Sequence, residues 1–519
     1  MATSPAPAAG TGLLHGPSLG LAGVVLSLAN FMVVLDMTIA NVSVPHIAGS
    51  LGISMTQGTW VITSYAVAEA ISVPLTGWLA QRFGAVTVFT LAMAGFGVFS
   101  VLCGLTDSLG GLVLFRIGQG LCGGPIMPLS QTLMLRVFPR ERHASAMGTW
   151  AMTTVTAPVA GPILGGYISD NWSWPWIFFI NVPIVIICVM GALRLLRPAE
   201  TPLRKPRIDR IGLVLMLVWV AALQIMLDTG REKNWFESPV IVGLGVTAAI
   251  GFVVFLIWEL TERDPVVNLK VFRHRGFAVS TSVLAFAFGA FFSSVVVIPQ
   301  WLQSMEGYPA TWAGYVLAMH GLLAVVFSPV AARLAGRVDP RLLVSAGVAW
   351  LGAMAWLRAG WTSDANFLTF ALPQFLQGIG MPFFFVPLTV LSMRAVAPEE
   401  TASAAGVMAF LRTLAGAVGA SVTATAWADQ TQANRDALVS AMPDMGRTLN
   451  DLMALGLSSD QARAQLALLV EQQASTQALI QIFLVTMVLF LVSAALVWLA
   501  PLSSGPKGGS PGGGGGGGH

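Results

Sequence analysis

Charged side chains are scarce in this chain. Asp, Glu, Lys and Arg make up 10% of its 519 residues, whereas a soluble domain carries about 25%. That excludes a water-solvated globular protein of this length. Cysteine is nearly absent too. Cys103, Cys122 and Cys188 all fall in apolar stretches with no metal-ligand spacing. They read as small buried hydrophobes, so no metal site is expected. Residues 1–19 lack a basic n-region, which argues against a cleaved signal peptide. No nucleophile elbow, phosphate loop or DNA-binding motif is present. Neither an enzyme, a cofactor nor a nucleic-acid partner is expected.

Apolar residues are what the chain has in excess. They make up 55% of it, and the mean hydropathy is +0.75. Fourteen apolar stretches recur between residues 20 and 500, each close to the roughly 20 residues a helix needs to cross a bilayer. The expectation is an all-α membrane protein with fourteen transmembrane helices. If the N-terminus is cytoplasmic and the spans alternate, most Lys and Arg residues fall in cytoplasmic segments, among them Arg136, Arg140, Arg142, Arg194, Arg197 and Arg204. Six fall outside: Arg231, Lys233, Arg358, Arg435, Arg447 and Arg463. This bias obeys the positive-inside rule with both termini in the cytoplasm. It also accounts for the net charge of +3 without nucleic acid.

The chain repeats itself. Gln119-Gly120, Arg136, and Ala144-Ser145-Ala146 with Gly148 return as Gln377-Gly378, Arg394, and Ala402-Ser403-Ala404 with Gly406, each 258 residues later. Pro74, Leu79-Ala80 and Arg82 return as Pro329, Leu334-Ala335 and Arg337 at an offset of 255. Two homologous halves facing each other across a central site are a transporter architecture. The division is a disordered N-terminus (1–19), a six-helix half (20–197) and an inserted two-helix hairpin with its linkers (198–276). A second six-helix half (277–502) carries an outer segment at 428–476, and a Gly-rich disordered tail (503–519) follows. The outer segment is expected to form amphipathic helices, with a helix start at Ser458-Ser459-Asp460.

Ionisable residues at membrane depth are costly, which makes each a functional candidate. Asp36 lies in the first span and Glu69 in the second. Tyr65, Ser72 and Thr76 stand at i−4, i+3 and i+7 from Glu69, so they share its face. Such a stripe is expected to face a wet cavity, where an acid can load and release protons. Arg116 shares a face with Gln119, Gly120 and Gly123 and needs an acid or carbonyl partner. These readings name Asp36, Glu69 and Arg116 as proton-coupling candidates. The second half has Gln374 where the first has Arg116. Arg412 either snorkels or pairs. Aromatics and Met cluster at Phe286, Phe288, Phe291 and Phe292 and at Met381, Phe383, Phe384 and Phe385, offering adaptable apolar surface. Tyr65, Gln119, Phe288, Phe292, Gln300, Gln377, Phe384 and Arg412 are the candidates for lining a substrate cavity between the halves. In Pro158, Gly161, Pro162, Gly165 and Gly166, prolines weaken the helix ladder and glycines allow close approach of another helix, expected to belong to the other half.

These residues resemble the major facilitator superfamily, and within it the fourteen-span drug/proton antiporters of the EmrB type. The likeness runs over residues 25–500. It is carried by Leu35-Asp36-x-Thr38-Ile39-x-Asn41-Val42-x-x-Pro45, Arg116-x-x-Gln119-Gly120, Gly161-Pro162-x-x-Gly165-Gly166 and Trp176-Ile177-Phe178-Phe179-Ile180-Asn181-Val182-Pro183. The resemblance implies proton-driven export of hydrophobic or amphipathic compounds across a bacterial inner membrane. It also implies a periplasmic adaptor and an outer-membrane channel as partners. A uniporter or symporter for a small metabolite is the alternative on the same fold. One motif departs from the family: Gly77-x-Leu79-Ala80-Gln81-Arg82-x-Gly84 has Gln81 where the family has an acid. Glu69 is not a family signature, so its role rests on its helix face.

Overall fold

A computed structural model describes residues 14, 16–53, 55–203, 209–231, 233–263, 265–363, 365–397, 400–442 and 445–501. The expected disordered tail and residues 1–13 and 15 of the expected disordered N-terminus lie outside that set, and residues 17–19 of that terminus already belong to the first helix. Among the described residues the regular structure is helical. The long helices of the first half are α1 (Pro17–Leu51), α2 (Met55–Phe83), α3 (Ala85–Leu105), α4 (Leu109–Val137) and α5 (His143–Asn171), followed by the shorter α6 (Trp176–Phe179) and α7 (Asn181–Gly191). The hairpin is α8 (Arg210–Thr229) and α9 (Pro239–Thr261). The second half has α10 (Arg275–Ser304), α11 (Ala310–Ala335), α12 (Pro340–Arg358), α13 (Phe367–Arg394), α14 (Thr401–Ala441), α15 (Met445–Ala454) and α16 (Ser459–Leu496).

Local chemistry sets many of the boundaries. Side chains of Ser108, Asp209, Asp339 and Asn366 accept backbone N–H bonds at helix starts, satisfying donors that have no partner within the helix. Ser458 and Gln461 form a reciprocal capping box at the start of α16, close to where the sequence places it. At the tight corner between α2 and α3, Gly84 adopts φ 90°. A side chain there would also strike the Glu200 carboxylate. Glu200 accepts from Val86 N and Thr87 N, both at 2.9 Å, and from Thr87 Oγ1 at 2.7 Å. The acid that holds this corner therefore comes from position 200, in the linker just after the first half, while position 81 is Gln.

Twelve helical stretches among the described residues are long and apolar enough to cross a membrane. The two expected spans that miss this hydropathy threshold are α2 and α5, each 29 residues long. Both carry polar side chains into the interior, among them Tyr65, Glu69, Ser72 and Thr76 on α2 and Thr154 and Ser169 on α5. The sixth expected span is broken between α6 and α7. Pro183 has no N–H to give the Phe179 carbonyl, and the break delivers Asn181, fully buried, to the interior. In the hairpin, the apolar window of α9 is 17% buried, so this helix lies on the outside of the bundle. Trp235 Nε1 bonds Thr425 Oγ1 and Ser421 Oγ bonds Leu227 O, both at 2.9 Å, tying the hairpin to α14.

The internal repeat marks where the two halves meet. Gly148, at the start of α5, lies against Ser328 and Ala332 of α11. Its repeat Gly406, at the start of α14, lies against Val73 and Thr76 of α2. Gly77 of α2 likewise faces Ser403, with no room for a side chain. All three contacts lie toward the helix ends that carry the basic loops. The outer segment departs from expectation. Rather than a loop bearing separate helices, α14 continues to Ala441 and α16 starts at Ser459, leaving only α15 as an independent helix. Arg435 and Glu471 pair at 3.7 Å and Asn434 Nδ2 bonds Ala474 O at 3.3 Å across the two extensions.

Candidate functional site

Asp36 is fully buried in α1. Three donors from two elements, α4 and α7, converge on its carboxylate. Arg116 Nη1 of α4 reaches Oδ2 at 2.7 Å, Gln119 Nε2 reaches Oδ1 at 3.0 Å, and Asn181 Nδ2 of α7 reaches Oδ1 at 2.7 Å. Arg116 also donates to Gln119 Oε1 at 2.8 Å and to the Val61 carbonyl of α2 at 3.0 Å. Ser100 of α3 accepts from Gln119 and Asn181 and donates to Phe178 O at 2.8 Å. The Tyr65 ring covers the guanidinium, with the cation 4.1 Å from its centroid. A buried charge is tolerated when it is paired and hydrogen-bonded, and this network satisfies that condition. Arg116 thus has the acid partner its burial demands. Tyr65 and Gln119, read as substrate contacts, are instead parts of this hub. Asn181 and Ser100 were missed as site residues. The available signal was an amide and a hydroxyl inside apolar runs.

Glu69 is different. It is also buried, but its Oε2 has no hydrogen-bond partner. The expected polar stripe does not serve it. Ser72 Oγ donates to the backbone carbonyls of Glu69 and Gly120, and Thr76 Oγ1 donates to Val73 O. That face of α2 packs on Gly120, Gly123 and Gly124 of α4. α2 also packs against α14 of the other half, where Gly406 lies beside Val73 and Thr76.

Arg412, on α14, neither snorkels nor forms a direct ion pair with an acid among the described residues. It is buried. Its guanidinium contacts Met127 Sδ of α4 and lies 6.0 Å from the Trp150 ring of α5 and 5.6 Å from the Phe288 ring of α10. Phe288 stacks on Phe292 at 5.0 Å and meets Phe385 at 5.9 Å, and Phe385 meets Phe384 at 4.5 Å. The structure therefore gathers Glu69, Arg412, Phe288, Phe292 and Phe384 around the interface between halves. Gln377 is buried on α13 with its Oε1 unpartnered. Gln300 is exposed toward the far end of α10 and does not join the group.

The motif on α5 packs closely, but against its own half. A Cβ at Gly165 would lie 2.9 Å from the Ile39 carbonyl of α1, and Gly161 abuts Thr38. Gly166 has open space beside it. Pro158 is buried within a helix that runs on past it. The side chains of Asn41, Pro45 and Pro162 lie outside the described set.

The model of the Major Facilitator Superfamily matches residues 26–420. The chain belongs to the major facilitator superfamily. It is a multi-pass membrane protein of that fold. It is 42% identical over 508 residues to the multidrug export protein EmrB of Escherichia coli strain K12, covering 96% of this chain and 98% of that protein. It is 42% identical over 501 residues to the fatty acid resistance protein FarB of Neisseria gonorrhoeae, covering 95% and 99%. Among solved structures it is similar to the human organic anion transporter MFSD10, with a TM-score of 0.57 at 15% identity, over 93% of this chain and 100% of that one. That last likeness concerns the fold alone.

Proposed function

We propose that this protein exports hydrophobic or amphipathic toxic compounds across a bacterial inner membrane in exchange for protons. Both termini then lie in the cytoplasm, and all fourteen helical segments cross the bilayer. Relatives named for multidrug export and fatty acid resistance support the substrate class.

The observation that carries the mechanism is the contrast between the two acids. Asp36 is bonded by three donors within one half, whereas Glu69 keeps an unpartnered oxygen beside the other half. Glu69 is therefore the residue we assign to carry the proton, and Asp36–Arg116 is the fixed hub that holds α1, α2, α4 and α7 around it. Ionised Glu69 attracts Arg412 across the interface. Protonation removes that attraction, so proton binding shifts the equilibrium between inward- and outward-facing states. Phe288, Phe292 and Phe384 give the substrate apolar surface beside Arg412, and Gln377 offers a polar contact. The extensions of α14 and α16 with α15, which expose Leu455, Leu468 and Leu469, are the surface we assign to a periplasmic adaptor leading to an outer-membrane channel.

The test is Glu69→Gln in proteoliposomes, scored by drug-triggered proton movement and by drug binding. Proton movement should be lost while binding persists. Wild-type coupling in this variant would move the carrier to Asp36. Drug flux with no proton movement in the wild type would turn the reading to a uniporter.

A further inference from the structure

The deepest unexplained polar group lies far from the Glu69 region, at the opposite end of the second half. Arg358 is the last residue of α12, and the sequence places it in an outer loop. In the structure it is fully buried. Its Nε donates to the Met354 carbonyl at 3.1 Å, but Nη1 and Nη2 have no acceptor among the described residues. Its surroundings are aromatic. The guanidinium lies 5.3 Å from the Phe483 ring, and Phe483 meets Trp361 edge-on at 5.3 Å. Trp361 stacks on Trp301 at 6.1 Å, and Phe370 closes on both, at 5.1 and 5.4 Å. Trp301 and Trp361 are themselves buried, and each indole Nε1 also lacks an acceptor.

Within this aromatic cluster the two Nη groups of Arg358 and two indole N–H groups are all buried donors without an acceptor among the described residues. Guanidinium cannot lose its charge to escape this cost. Buried cations are retained when something of opposite charge accompanies them. The Phe483 face offsets part of the charge, and the carbonyl end of α12 offsets more, but neither satisfies the free N–H bonds. We propose that the Arg358 cluster binds a small monovalent anion of halide size. One negative charge balances one guanidinium. Apolar surroundings favour an ion that sheds water readily, held by the N–H donors and not by the ring faces, which are negative, and complete burial excludes a bulky carboxylate. This assignment is independent of the transport reading. The acid nearest in sequence, Asp364, lies outside the described residues and is the competing counter-charge.

The experiment measures thermal unfolding of the purified full-length protein in detergent at constant ionic strength, with gluconate replaced stepwise by chloride or bromide. The expected result is a saturable rise in Tm with either halide, absent in Arg358→Met. Trp361→Phe, which removes one N–H and keeps a ring, should raise the half-saturating chloride concentration several-fold. This second variant keeps the test decisive if Arg358→Met does not fold. Equal Tm values in gluconate and chloride for the wild type would overturn the proposal. So would loss of stability in Asp364→Asn equal to that in Arg358→Met, which would give the counter-charge to Asp364.

Discussion

The same short motif sits in both halves and meets opposite surroundings. In the first, Arg116-x-x-Gln119-Gly120 wraps the Asp36 carboxylate, and the bonding groups of Arg116 and Gln119 are used. In the second, Gln374-x-x-Gln377-Gly378 stands in the matching place on α13. Both amides are buried, and Gln374 Nε2 and Gln377 Oε1 have no partners. Backbone packing is alike. Gly120 lies against the Tyr65 carbonyl of α2, and Gly378 against the His320 carbonyl of α11. Duplication kept the helix contact and let the chemistry diverge. A charged hub whose carboxylate takes three donors holds its helices together and leaves the acid little room for a ligand. A neutral pair with open valences costs stability but can bond a passing substrate.

Three changes would break or sharpen that contrast. The largest effect is expected from Asp36→Ala or Arg116→Ala. Each strands its buried partner, which costs about 3–5 kcal/mol, and Asp36→Ala also takes one acceptor from Gln119 and from Asn181, leaving them Ser100. Thermal unfolding in detergent should show a large drop in Tm, with a smaller one for Arg116→Lys. A drop for Asp36→Ala no larger than that for an exposed control would dissolve the hub.

Next comes Gln374→Arg, which restores the first half's charge in the second without its acid. An arginine at mid-membrane costs about 3 kcal/mol on insertion scales. The amount of folded protein in the membrane should fall. Normal levels would mean that the second half holds an acceptor for the cation.

The smallest effect on stability, within about 0.5 kcal/mol, is expected from Gln377→Leu, because removing an already unpaired polar atom leaves nothing stranded. Its readout is the spectrum of drugs resisted by cells. Resistance to compounds with hydrogen-bond donors should fall relative to purely apolar ones. An unchanged spectrum would return Gln377 to packing.

Much of this protein could be read before any fold was known, but unevenly. Asp36, Glu69 and Arg116 stood out because charge at membrane depth is rare. The pairing of Asp36 with Arg116 did not, since 80 residues separate them. Asn181 was quoted only as part of a recurring string, and its bond to Asp36 spans 145 residues. The Glu69 stripe was correct in spacing, but Ser72 and Thr76 on it bond backbone carbonyls and not the carboxylate. Helical periodicity says which residues share a face, not which helix covers it. Gly161 and Gly165 repeat the lesson: they permit close approach, and the neighbour proved to be α1 of the same half. Arg358 was counted as a loop charge because it ends a span, yet tertiary packing buried it against the Phe483 ring.

The sequence by itself determined what depends on composition and period. That covers a helical membrane protein, its duplicated halves, the inserted hairpin, the helix starts at capping residues and the short list of costly buried charges. These follow from local rules of hydropathy, capping and repetition. Tertiary structure alone decided which of those charges are satisfied. Asp36 became a bonded hub, Glu69 was left with an open oxygen, and Arg358 was enclosed with no counter-charge among the described residues. The physical reason is that burying a charge costs the same wherever it lies in the chain, while the partner that offsets it comes from a helix the local sequence cannot name.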